Sequence, residues 1–167
     1  MKNEDHIIVR DLGFLLLEKG TILKIKANGF SMYPSIKPGT IIFIEPVKKD
    51  GNIIPGQIIA WKRESGFVVH RLIRRENKDD QVLYYTRGDS CKNEDKPVKS
   101  DQIAGKVIRM EDRKHRIREG NSLITKPCYS INRIIVWLIL KIKRIYGFFT
   151  NKSAGSLTIL MLIAIPL

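Results

Sequence analysis

Residues 21–46 read TILKIKANGFSMYPSIKPGTIIFIEP. Two β-rich runs, Thr21–Ala27 and Thr40–Pro46, flank a stretch rich in Gly, Ser and Pro. β-Branched residues favour strands, and the residues between them favour turns. The pattern continues outward with Gln57–Lys62, Phe67–Arg74, Val82–Arg87 and Ile103–Met110. Lys37-Pro38-Gly39, Asp50-Gly51, Pro55-Gly56 and Asn77–Asp80 punctuate it. Many short strands at such spacing predict a mainly β domain, an antiparallel barrel or coiled sheet over residues 21–120. His115–Arg118 is expected as a further edge strand.

Upstream, residues 6–19 (HIIVRDLGFLLLEK) place Ile7, Ile8, Asp11, Leu12, Leu15 and Leu16 at helical intervals, with Gly20 as a stop. Residues 1–20 are therefore expected to form an amphipathic helix capping the sheet. Arg10, Asp11, Glu18 and Lys19 interrupt the apolar run, so it reads neither as a membrane span nor as part of a secretory signal. Downstream, residues 121–167 change character. Ile131–Leu140 is apolar, Lys141, Lys143 and Arg144 follow, and Ser156–Leu167 is apolar again. Neither piece reaches the roughly 20 residues of a spanning helix. Trp137, Tyr146, Phe148 and Phe149 stand among Lys and Arg as in interfacial segments. The expectation is a helical tail associated with an anionic membrane surface; a buried helix completing the core is the alternative.

The chain has 167 residues and a net charge of +13. From Arg109 onward there are 11 Lys/Arg against 3 Asp/Glu, so most of the excess lies in the C-terminal third. A basic surface suits anionic partners. No helix-turn-helix pattern, finger spacing or aromatic-studded basic strand accompanies it, so nucleic acid is not an expected partner. Cys91 and Cys128 are too few for a disulfide framework and share no metal-ligand spacing with His6, His70 or His115. Neither metal nor cofactor is expected.

Three segments carry chemistry. In Asn28–Gly39, Ser31 follows Gly29 by two positions and precedes Pro34 by three. Glycine permits a sharp turn that presents backbone N–H groups beside a nucleophile, as an oxyanion hole requires. A surface turn has the same composition. In Phe67–Ile73, an apolar strand carries one histidine, His70. Imidazole can accept a serine proton near neutrality; a strand histidine can equally be a structural residue. In Tyr85–Pro97, Asp89 and Asp95 lie in a polar loop after a strand. Either could orient the imidazole, leaving the other for a salt bridge to Arg71 or Arg87.

In this order the segments resemble the signal peptidase I family and its relatives, the repressor-type autoproteases. The resemblance rests on Gly29, Ser31, Met32, Pro34, Ile36 and Gly39, then on His70, Arg71, Leu72 and Ile73. Thr86, Arg87, Gly88, Asp89 and Asp95 follow, and Ile103, Gly105, Lys106 and Val107 close it. It covers residues 21–110 and implies a signal-peptidase-like coiled antiparallel sheet. It further implies a serine endopeptidase that cleaves a signal or leader peptide after small side chains. Ser31 would be the nucleophile and His70 its base, as in the histidine-using endoplasmic-reticulum and spore-former branch. Asp95 would hold His70 with Asp89 in support. Gly29, Met32, Pro34 and Ile36 would contact the substrate. Three departures are visible: Thr40 stands where an aspartate commonly follows the glycine, the segment before the serine box is too charged to span a membrane, and Gly29 stands where many members carry a second hydroxyl. A hole built from backbone amides, that of Ser31 foremost, is the consequence. A dedicated processing protease and a catalytically silent membrane-bound relative are the competing readings.

Overall fold

The structure, a computed structural model, describes residues 11–47, 53–63, 66–78 and 81–152. Residues 6–10 of the expected helix, the Asp50-Gly51 turn, Asp79, Asp80 and Ser156–Leu167 lie outside them. Helix α1 covers residues 11–18. The strands are β1 (Leu23–Lys26), β2 (Ile41–Pro46), β3 (Ile58–Arg63), β4 (Gly66–Lys78), β5 (Gln81–Arg87), β6 (Val98–Lys99), β7 (Ile103–Glu111) and β8 (Ile117–Glu119). Helix α2 spans Tyr129–Lys152.

These strands form one antiparallel sheet in the order β1-β2-β7-β3-β4-β5-β6, with β8 added to β7. Register shifts at Phe43/Ile44, Ala60/Trp61 and Leu72/Arg74 interrupt the ladders. Such bulges bend and twist strands, which lets the sheet coil. A Cβ at Gly105 would stand 2.4 Å from the Glu45 carbonyl oxygen, so β7 approaches β2 only because that residue has no side chain.

Alternation sets the two cores. Ile42 and Ile44 of β2 and Ile58 and Ala60 of β3 point to one face, where Met32, Ile36, Val107 and Met110 join them. Ile59 of β3 points to the other and packs with Ile53, Leu72, Tyr84 and Val98. A central strand buried on both faces must be apolar throughout, as Ile58-Ile59-Ala60 is.

Two expectations need correction. Helix α1 caps the first core, but through Gly13, Phe14 and Leu17; Leu12 and Leu15 are exposed. The Phe67 ring packs so closely on Gly13 that a Cβ there would stand 3.1 Å away, so the glycine decides which face goes in. Strand β4 continues four residues past Arg74, because its polar end pairs with β5 in a hairpin. The tail helix expected from the sequence runs unbroken from Tyr129 through the basic cluster at residues 141–144. Among the described residues no helix is long and apolar enough to cross a membrane.

Candidate active site

Ser31 opens the tight turn that links β1 to β2. The turn is held from within, by Tyr33 N–H donating to the Phe30 carbonyl (2.9 Å) and Ile36 N–H to that of Met32 (2.9 Å). Met32 and Ile36 are buried in the first core and pin the turn from below. From above, the Ser90 amide donates to the Ser31 carbonyl (2.9 Å), and its hydroxyl bonds the Phe30 carbonyl at 2.7 Å. The serine is thus presented on a backbone fixed on both sides.

His70 lies in β4, paired across the sheet with Ile59, and is 9% exposed. Strand alternation sends His70 and Arg71 to opposite faces, and each takes one of the two aspartates. The His70 Nδ1 lies 2.6 Å from Asp95 Oδ2. The Thr86 hydroxyl donates to the same carboxylate oxygen (2.6 Å), and the Asp95 amide to the Thr86 carbonyl (2.8 Å). Asp95 is therefore oriented by β5. Asp89 is fully buried on the other side, where Arg71 grips it through Nε (2.9 Å) and Nη2 (2.7 Å). Arg71 Nη1 also reaches the Gly56 and Leu123 carbonyls (2.7 and 2.9 Å). Asp95 is the histidine's partner; Asp89 supports the loop through Arg71 rather than through the imidazole.

Gly88 relates the histidine to the serine. A Cβ built there would stand 2.6 Å from the Ser31 carbonyl oxygen and 3.1 Å from His70 Nε2. The free ring nitrogen and the Ser31 peptide thus converge on this glycine. We expect Gly88→Ala to displace one or both and to cut peptide hydrolysis by about 100-fold, since misplacement by an ångström costs that much. Steady-state kinetics of the folded variant check this.

A cleft of about 520 Å³ runs past Ser31 and His70, lined by Ile25, Ala27, Gly29, Met32, Ile36 and Val69, among others. Of the expected substrate contacts, Gly29, Met32 and Ile36 border it. Pro34 does not; it lines a separate depression with Ser35, Lys37 and Met110. Gly29 has no backbone angle that demands glycine, and a Cβ there would find its nearest neighbour, the Ser31 nitrogen, 4.0 Å away. The glycine leaves open space beside the Ser31 amide.

Electrostatics fit this division. Burial works to raise the Asp95 pKa, but hydrogen bonds from His70 and Thr86, with the charges of His70 and Arg63, hold it below the usual aspartate range. A depressed folded-state pKa contributes stability above the unfolded value, near 3.9, and that contribution is lost as pH falls through the folded value. Acid unfolding followed by circular dichroism should accordingly show a shallower loss of stability below about pH 4 in Asp95→Asn than in wild type. Burial, with the Asp95 charge, pushes the neighbouring Cys91 thiol up. That shift disfavours the thiolate, the reactive form of a cysteine.

Sequence reasoning passed over Ser90, Asn132 and Tyr129. Buried Asn132 of α2 donates through Nδ2 to the Asp89 carbonyl (3.0 Å), and the Arg87 guanidinium lies 3.8 Å from the centre of the Tyr129 ring. An amide inside the apolar run INRIIVW was the available signal, since a buried polar group needs a partner. No side-chain cluster suited to a metal occurs among the described residues.

No curated protein is significantly similar to the chain. A family model described as Peptidase S24-like matches residues 3–108, a span that includes α1 and the strands through most of β7. That span contains the serine turn, the histidine strand and both aspartates, and the chain therefore belongs to the Peptidase S24-like family, which supports a serine-type peptidase.

Proposed function

We propose that the protein is a serine endopeptidase of signal-peptidase type, cleaving a precursor or signal peptide after small side chains. The observation that carries this is the 2.6 Å contact between His70 Nδ1 and Asp95, with Nε2 directed to Gly88 beside the Ser31 peptide. A carboxylate accepting at Nδ1 leaves Nε2 as the proton acceptor. Ser31 Oγ attacks the substrate carbonyl while His70 takes its proton. The Ser31 amide stabilises the oxyanion. His70 then protonates the leaving amine, an acyl-enzyme remains, and water releases it with His70 again as base. Met32, Ile36 and Val69 make an apolar wall that suits small, uncharged substrate side chains.

Cleavage in a purified mixture of defined peptides, read by mass spectrometry, tests the reading. Cuts confined to positions after Ala, Gly or Ser support it, and cuts after large or charged residues contradict it. Cleavage of one precursor alone would indicate the dedicated processing enzyme, and loss of the chain's own intact mass a repressor-type autoprotease. Residues 121–167, basic and apolar, would attach this enzyme to an anionic membrane surface.

A further inference from the structure

Helix α2 has two faces with different business. Inward, Asn132 holds the Asp89 carbonyl, Tyr129 receives Arg87, and Lys143 lies 4.9 Å from the centre of the Phe30 ring, the residue before the nucleophile. These contacts tie the helix to the two segments that carry the catalytic groups, the serine turn and the loop from Gly88 to Asp95. Outward, Ile131, Ile134, Leu138, Ile142 and Ile145 are each 45% exposed or more. They recur at intervals of three and four, so they form one apolar stripe. Trp137 lies beside it at 57% exposure, with Lys141 Nζ 4.9 Å from its ring.

Charge complementarity decides what covers the stripe. From Gly120 to the C-terminus the sequence has six Lys/Arg and no Asp or Glu. Arg133, Lys141 and Arg144 are exposed on the helix. A second copy packed stripe to stripe would bring these cations against their own counterparts, because a two-fold interface is self-facing. An anionic bilayer is complementary on both counts: the stripe enters the acyl boundary, and each cation near the headgroups adds several-fold to the partitioning.

We propose that α2 docks the protein on anionic bilayers through this stripe and that docking tightens the catalytic loop. Asn132, Tyr129 and Lys143 tie the inner face of α2 to the body, so anchoring its outer face on lipid adds a second support. That support passes through Asn132 to the loop bearing Asp89 and Asp95. The proposal deepens the membrane reading above and rests on it, and its test does not depend on catalysis.

The test uses the full chain with vesicles of phosphatidylcholine, with and without phosphatidylglycerol. Flotation reads binding, and hydrogen exchange over residues 88–95 reads the loop. We expect binding only to vesicles with phosphatidylglycerol, and exchange slowed about fivefold or more on binding. The double variant Leu138→Glu/Ile142→Glu should lose both and leave loop exchange in solution unchanged. Asn132→Ala should still float yet lose the slowing. Equal binding to neutral vesicles, flotation of the double variant, or binding without slower exchange would each overturn the proposal, as would dimerisation abolished by the double variant.

Discussion

Ser31→Ala is expected to lower peptide hydrolysis by about 10⁴-fold or more, the scale on which removing a catalytic serine acts. The fold should not register the change. The Ser31 backbone carbonyl, not its hydroxyl, is what Ser90 holds, and the turn is pinned by Met32 and Ile36. His70→Ala should cost a similar factor in rate. The two losses should not add, because each removes the same proton-transfer unit. Turnover of a fluorogenic peptide by the two single variants and the double variant, with thermal unfolding in parallel, gives both readings. A double variant markedly slower than either single one would mean that serine and histidine act independently, against the geometry.

The second large effect falls on stability. Arg71 is 1% exposed and Asp89 is 0% exposed, and the guanidinium spends its donors on that carboxylate, the Gly56 and Leu123 carbonyls and, at 3.4 Å, the Ser35 hydroxyl. Removing one member of a buried pair leaves the other charged and uncompensated, which costs about 3–5 kcal/mol. Arg71→Met should therefore destabilise by that amount, and it also abandons two carbonyls from different segments. Asp89→Asn should cost about as much, while a double replacement by apolar residues recovers part of the loss. Urea unfolding checks the series. The contrast with Asp95 is informative: Asp95→Asn should damage activity far more than stability, since its side chain is 25% exposed and its partners are His70 and Thr86.

This contrast marks where sequence reading reaches and where it stops. The strands were legible because β-branched runs alternate with Gly, Pro and Asp turns, and β2 shows why: Ile42 and Ile44 go inward while Ile41 and Phe43 are less buried. Strand β6 was not, because two residues, Val98 and Lys99, carry no period. The serine turn, the histidine strand and the acidic loop were legible as candidates because their residue types fit one chemistry. Which aspartate serves the histidine was not legible from residue type, since both are carboxylates in one loop. The alternation of His70 and Arg71 on β4 held the key, because a buried arginine on the far face must claim one of them. The roles of Asn132 and Ser90 depend on segments distant in sequence meeting in space, and composition carries no trace of that. Asp112 shows the same limit: its carboxylate, held to about 2 chiefly by hydrogen bonds from Arg116, organises the β7–β8 turn that residue types alone marked only as an edge.

The central claim is that Ser31 is a nucleophile activated by His70. Covalent labelling with a serine-reactive phosphonate tests it most directly, read by intact mass and located by peptide mapping over a range of pH. The account predicts one adduct on the wild-type protein, at Ser31. It predicts none on Ser31→Ala, and a much slower reaction on His70→Ala. A folded wild-type protein that takes no label, or takes it on a residue outside the cleft, would contradict the account.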